Sequence, residues 1–415
     1  MKVLWFTHSM AGFSVEAGGY NGCGWITSLL EEFKKQKNIQ IGIAFLYQSK
    51  ANPVVKEGVE FFPIEQTKAS IIGKIKTYFG NYSAWHKKDY EQLKEFHSII
   101  DDFNPDIIHV WGTETGMGQI AKYTKVPVIV HLQGLLNPYR NALLPPGISL
   151  FKYIIKDGVK LRAILKNIND IIYWKYKSER EISVFKSCNN YFGRTNWDYS
   201  ISFLFSPQRK YYLCNELLRK EFYNDKWTKP QVRLARIVTT ISSPLYKGAD
   251  LVLKTAKLLK EHGNVDFEWI LIGVSTIKMQ ERLLGIKSNE VSVRCIGVKT
   301  AAEIREIEMS SLIYFHPSYI DNSPNSVCEA QLLGLPVIAV NVGGVGSLIA
   351  NEETGLLIPP NEPHMAAATI IRLLDDENLQ KRISINSRQM AYHRHNSTDI
   401  LKSIIRAYTD LNIKS

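Results

Sequence analysis

The sequence predicts an α/β protein built from two doubly wound, parallel-sheet domains. Three observations carry this expectation: a chain of 415 residues, short apolar runs that alternate with helical patterns, and a fresh start of that alternation after a polar, proline-marked break. Domains usually run to about 100–200 residues, so the length calls for at least two. At 45% hydrophobic and 22% charged residues, the composition is globular and excludes a disordered chain or a coiled coil.

The first series opens with the apolar run 3–6 and a loop holding Gly12, Gly18, Gly19, Gly22 and Gly24. Trp25, Ile26, Leu29, Leu30 and Phe33 then recur at helical spacing, and 39–45 is apolar again. Strand, glycine loop, helix and strand make the βαβ unit of a parallel sheet. Runs at 106–110, 126–130 and 191–193 extend the series. A second series begins near Arg233, with a strand at 237–241 and a helix over 248–262 that Gly263 stops. Strands are expected at 267–272, 291–296, 312–315, 336–340 and 355–358. Between the two series, 206–230 is largely polar, with Pro207 and Pro230 at its ends, and reads as a linker. The expected division is therefore 1–205 and 206–394, followed by a helix over 395–415 with Ile400, Leu401, Ile404, Ile405, Tyr408 and Leu411 on one face.

Fifty-one Lys and Arg against 40 Asp and Glu leave a net charge of +11. Such an excess favours an acidic partner: nucleic acid, anionic lipid or a phosphorylated ligand. No nucleic-acid motif or aromatic-interleaved basic stripe accompanies it, so nucleic acid is not expected. Cys23, Cys188, Cys214, Cys295 and Cys328 are scattered and form no C-x-x-C pair, which points to a reducing compartment. The start turns polar too soon for a secretory segment, and the apolar stretch 332–350 is broken by Pro336, Asn341 and four glycines. A soluble, cytoplasmic chain is expected.

The chemistry concentrates in 316–330. A strand ends near His316, a polar loop follows, and Ser323-Pro324 suits a helix start. Asp321 then lies on the loop and Glu329 about one and a half turns into the helix. Both can face the carboxyl edge of the sheet, where α/β folds bind ligands, and the free N–H groups of the helix start suit a phosphate. An Asp that caps the helix and a solvated Glu are the plainer reading of the same positions. Lys247-Gly248 opens a helix where a cation is disfavoured by the helix dipole, so a phosphate partner would account for Lys247.

An acidic residue, seven positions and a glutamate, then Ala-x-x-x-Gly-x-Pro-Val-Ile-Ala, resembles the signature of the family 4 retaining glycosyltransferases. Val342-Gly343-Gly344-Val345 and the run 353–360 resemble that family too. The resemblance covers the whole second domain and, more loosely, the first. It implies the GT-B fold: two Rossmann-like domains facing each other across a cleft, with the C-terminal helix crossing back onto the first. It also implies a nucleotide-sugar donor, such as a UDP- or GDP-sugar, and a glycan or glycolipid acceptor, as in surface polysaccharide synthesis. By the same resemblance Glu329 would accept the ribose hydroxyls, and Asp321, where the family more often has Glu, would sit near the transferred sugar. The backbone from Asn322 through Asn325 to Ser326 would approach the sugar and diphosphate, and Val298, after Gly297, would contact the base. Lys247 would grip the diphosphate, whereas Ser242 and Ser243 stand where the family usually has an arginine. Arg194, at a strand end, would supply that cation from the first domain or form a plain ion pair. Gly18 and Gly19 would bring bare backbone to the donor. His131 would stand near the reacting sugar. Apart from the resemblance, Trp111-Gly112-Thr113-Glu114 ends a strand at the cleft, which would put Glu114 near the acceptor.

No D-x-D and no His/Cys cluster of metal-ligand spacing occurs, so neither a metal nor a further cofactor is expected. A same-fold nucleotide-sugar 2-epimerase and a non-enzymatic sugar or nucleotide binding protein are the rivals. Release of free nucleotide on adding an acceptor would separate them. Finally, residues 151–250 hold 19 Lys and Arg against 9 Asp and Glu. Their start interleaves Phe151, Tyr153, Ile154, Ile155, Val159, Leu161, Ile164 and Leu165 with Lys152, Lys156, Lys160, Arg162 and Lys166. Either 151–180 makes peripheral contact with an anionic membrane, or it packs on the first domain with its lysines in water.

Overall fold

A computed structural model of the chain describes residues 1–13, 24–49, 51–65, 82–242 and 245–413. The first sheet contains β1 (Lys2–Thr7), β2 (Gln40–Tyr47), β3 (Val54–Lys56), β4 (Val59–Glu65), β5 (Ile107–Trp111), β6 (Val128–His131), β7 (Asn190–Gly193) and β8 (Lys210–Leu213). Their spatial order is β3-β4-β2-β1-β5-β6-β7-β8. Only the β3–β4 hairpin is antiparallel. The second sheet contains β9 (Ala235–Thr240), β10 (Phe267–Ile272), β11 (Val293–Cys295), β12 (Ile313–His316), β13 (Val337–Val340) and β14 (Leu356–Ile358). It is parallel throughout, in the order β11-β10-β9-β12-β13-β14.

Helices on both faces explain why the central strands read as continuous apolar runs and not as alternating ones. Val3, Leu4, Trp5 and Phe6 of β1 are all fully buried, as are Val337 to Val340 of β13. In each sheet the chain runs outward in both directions from its first strand: β1 lies between β2 and β5, and β9 between β10 and β12. That arrangement opens a crevice at the carboxyl ends of the strands.

The segment taken as a linker is packed at both of its ends. β8 joins the first sheet beside β7, so the expected boundary at 206 falls too early, and the first sheet runs through Leu213. Cys214 and Leu217 belong to the first domain's core, while Leu218, Phe222 and Trp227 belong to the second's. Polar composition hid these anchors because a few buried rings among many solvated side chains suffice to fix an irregular segment. β3 and β4 were not expected either. The last helix, Ser397–Asn412, does cross back to the first domain, burying Ile400, Ile404, Ala407 and Tyr408 there. Trp5 Nε1 donates to Tyr408 Oη at 3.2 Å, which fixes the docking register. Among the described residues, no helix is long and apolar enough to cross a membrane.

Candidate functional site

A cavity of about 270 Å³ lies where the carboxyl ends of the second sheet meet Trp25 and Arg219. Thr240, Ile241 and Ser242 reach it from the end of β9, Gly273 from β10, Val298 and Lys299 from β11, and His316 from β12. Six of the expected residues line it together: Lys247, Val298, Asp321, Asn325, Ser326 and Glu329.

Backbone geometry sets Lys247 and Asp321. Gly248 has φ +80°, and any Cβ there would collide with the Pro317 carbonyl oxygen, so only glycine lets this turn lie on the loop after β12. Gly343 likewise has φ +53° and presses bare backbone on the Asp321 carbonyl. Gly344 N–H donates to that same oxygen at 2.9 Å. Held from both sides, Lys247 Nζ donates to Asp321 Oδ2 at 2.6 Å, and His316 Nε2 stands 3.4 Å from that oxygen. Tyr139, from the first domain, donates its hydroxyl to Asp321 Oδ1 at 3.3 Å. Burial opposes ionisation of Asp321, but Lys247 and His316 outweigh it and hold the carboxyl well below the usual range.

The helix Asn325–Leu333 begins on the same wall. Pro324 precedes it, and no side chain caps its first turn. Its first N–H groups have no intrahelical acceptor, and its dipole favours an anion there. Glu329, 3% exposed, sits one turn further in. Arg219 grips it through two bonds, Nε to Oε1 at 2.7 Å and Nη2 to Oε2 at 2.6 Å, the bidentate geometry that makes such pairs strong. Arg219 was not anticipated: it comes from the supposed linker and has no motif around it. Behind them Glu308 is fully buried, with neither carboxyl oxygen hydrogen-bonded among the described residues. Burial, and then the neighbouring Glu329 charge, push the Glu308 carboxyl well above its usual range.

The expectations for the first domain fare differently. Gly18 and Gly19 lie outside the described residues, as does Ser243. Arg194 does not line this cavity. Its guanidinium forms a buried pair with Glu216, and Nη2 is turned to the Leu132 and Gln133 carbonyls at 3.4 and 3.5 Å. The structure thus selects the plain ion pair for Arg194. His131 is also off the cavity wall, stacked on Trp111 at 4.7 Å and 5.5 Å from His109, with Trp25 at 6.2 Å on the cavity side. Neither of its ring nitrogens has a hydrogen-bond partner among the described residues. Burial holds its pKa far below the usual value, so the imidazole is neutral. Asn322 serves the contact between domains and not the cavity. Its Nδ2 donates to the Gln133 carbonyl at 2.9 Å and Asp198 Oδ2 at 3.0 Å, while Thr195 Oγ1 donates to its Oδ1 at 2.7 Å. Glu114 accepts from Gly134 N–H at 2.7 Å.

Comparison with known proteins bears on this geometry. Residues 236–390 match the family model described as "Glycosyl transferases group 1". The amylovoran biosynthesis glycosyltransferase AmsK of Erwinia amylovora is 24% identical over 188 residues, covering 44% of this chain and 46% of that protein. A D-inositol 3-phosphate glycosyltransferase of Corynebacterium diphtheriae is 27% identical over 149 residues, 34% of either chain. The chain spans less than half the length of the curated relatives it matches first. Among solved structures, the sucrose-phosphate synthase of Thermosynechococcus elongatus superposes with TM-score 0.70 over the whole of both chains at 15% identity. Anabaena HepE, solved in complex with UDP and glucose, superposes with TM-score 0.63 over 99% of each chain at 14% identity. These likenesses establish the GT-B architecture: two Rossmann-like domains with the cavity between them. The match to the glycosyl transferases group 1 model falls on the cavity-bearing second domain, over residues 236–390.

Proposed function

We propose that the chain is a retaining glycosyltransferase that moves a sugar from a nucleotide-sugar donor to a hydroxyl of a glycan or lipid-linked glycan, in surface polysaccharide synthesis. One observation carries this reading: a lysine, two buried carboxylates and an uncapped helix start converge on one cavity at the carboxyl ends of the second sheet. The UDP and glucose bound by Anabaena HepE support a nucleoside diphosphate as the donor's leaving group, and AmsK's role in amylovoran biosynthesis supports a polysaccharide product.

In this reading the ribose hydroxyls donate to Glu329, whose oxygens keep free lone pairs beyond the two that Arg219 uses. Val298 lies against the base. The diphosphate meets Lys247 and the N–H groups at Asn325 and Ser326. Lys247 thereby exchanges Asp321 for phosphate, and the freed carboxylate accepts from hydroxyls of the transferred sugar. As the bond from anomeric carbon to phosphate oxygen breaks, charge builds on the departing diphosphate. Lys247 and the helix start are already in place to stabilise it, which is where preorganised charge lowers a barrier most. The acceptor hydroxyl attacks the same face and passes its proton to the leaving phosphate oxygen, so the anomeric configuration is kept. With those groups supplying the positive charge, turnover needs no metal ion. A nucleotide-sugar substrate and the free thiols of Cys188, Cys214, Cys295 and Cys328 fit a reducing, cytoplasmic setting.

A panel of UDP-, GDP- and ADP-sugars screened by thermal shift identifies the donor, and NMR of the product reads the anomeric configuration. Inversion, or no stabilisation by any nucleotide sugar, would reject the reading. Activity lost in EDTA and restored by Mn²⁺ or Mg²⁺ would overturn the metal-independent part alone.

A further inference from the structure

Large apolar side chains scattered singly over a surface need no explanation, but a cluster rimmed by charge does. The segment 150–166 presents such a cluster. Leu150 is 52% exposed, Phe151 69%, Val159 78% and Leu161 70%. The first two stand on the short helix Leu150–Ile154, and the others where the chain turns into the helix Leu161–Ser187. These two helices pack together, and Asn167 Nδ2 donates to the Ile154 carbonyl at 2.9 Å.

The inner side of this hairpin is fixed. Tyr153 is buried with Leu143 and with Leu245 of the second domain, and Lys156 Nζ sits 3.6 Å over the Tyr153 ring. Arg282 of the second domain donates to the Lys156 carbonyl. The outward residues are therefore held by a packed base. Around them in sequence stand Lys152, Lys156, Lys160, Arg162 and Lys166. Asp157 pairs with Lys166 at 3.6 Å, and Asp170 lies near Tyr153 and Lys156, so the basic side chains remain in excess. Of the stretch 151–180, the later part turns inward: Asn167, Tyr176, Ser178 and Arg180 are buried.

We propose that this hairpin is a docking surface for an anionic lipid bilayer. Leu150, Phe151, Val159 and Leu161 enter the interfacial layer, and the basic side chains around them meet lipid phosphates. Charge decides the occupant: a second copy would bring the same positive rim against this one, whereas an anionic surface complements it. Because Leu245 lies two residues before Lys247, docking would hold the mouth of the cleft beside the membrane, where a lipid-linked acceptor could enter. The surface itself does not depend on the transfer reaction.

The test is co-sedimentation with vesicles of phosphatidylcholine and of an equimolar mixture of phosphatidylcholine and phosphatidylglycerol. Binding to the mixed vesicles alone, lost as salt is raised, is expected. Lys152→Gln and Lys160→Gln should each lower partitioning by roughly fivefold. Phe151→Ser with Leu161→Ser should lower it further without changing Tm, because both residues are exposed. Val55→Ser, at an exposed apolar residue elsewhere, should change nothing. Absence of binding at low salt, equal binding to neutral vesicles, or binding unaffected by the hairpin variants would overturn the proposal. A dimer in sedimentation velocity that Phe151→Ser dissociates would assign the surface to a second copy instead.

Discussion

Lys247–Asp321 in the second domain and Arg194–Glu216 beside the first are both short ion pairs near the ends of sheet strands, yet they differ in what can reach them. The Lys247 and Asp321 side chains keep 22% and 9% of their exposure and line the cavity. Those of Arg194 and Glu216 keep 4% and 2%. A pair at a cavity can exchange one partner for a ligand charge at small cost. A pair sealed in the interior cannot, because either group left alone would be an unpaired buried charge. Proximity of opposite charges is thus common to both regions, and access separates a binding group from a structural one.

The largest effect should come from breaking the sealed pair. Arg194→Met is expected to cost about 3–5 kcal/mol in urea unfolding, while the protein that remains folded keeps its affinity for nucleotide. Lost affinity at unchanged stability would move Arg194 to the cavity side of the comparison. Next in size is Glu329→Ala, which strands Arg219 and, on the proposed reading, removes a charged acceptor worth about 1.5–3 kcal/mol from the ribose hydroxyls. Calorimetric titration with nucleoside diphosphate reads the loss, and a variant that binds and turns over like the parent would remove Glu329 from the site.

Lys247→Ala sharpens the comparison by ligand. It should weaken a nucleoside diphosphate by about tenfold, the low end for a charged hydrogen bond, and leave the free nucleoside unaffected; equal losses for both ligands would contradict a phosphate contact. The smallest effect is at Glu308, whose carboxyl is held protonated above the usual range by burial and by Glu329. The folded state then binds a proton that the unfolded chain releases. Stability is complete below the ordinary carboxylate range and declines as pH rises toward the raised value. Glu308→Gln keeps the shape without the charge, so its Tm should fall less across that window than the parent's. Parallel Tm curves would show that Glu308 is ionised in both.

Legibility followed distance along the chain. Asp321, Asn325, Ser326 and Glu329 occupy one strand–loop–helix connection, and its spacing alone brings them to one wall. Lys247 was readable because a lysine at a helix start is opposed by the helix dipole and so asks for an anion; the contact of Gly248 with Pro317 that fixes it appeared only in the structure. In the first domain the same reasoning set His131 and Arg194 at strand ends correctly but could not see what surrounded them. For His131 that is the rings of Trp111, His109 and Trp25, drawn from three different elements. For Arg194 it is Glu216, beyond an intervening helix and β8.

By itself, then, the sequence determined the two parallel sheets, the apolar face of the C-terminal helix and the second-domain wall of the cavity. Those follow from apolar periodicity and from turn chemistry, which act over a few residues and tolerate little alternative. Only the tertiary structure decided that Arg219, 110 residues away in sequence, grips Glu329, and that His131 and Arg194 face inward. It also decided which residues of 151–180 face solvent and which join the core. Such outcomes depend on which side chains a folded surface happens to bring together, and burial and partnering are properties of that assembly, absent from any local stretch of chain.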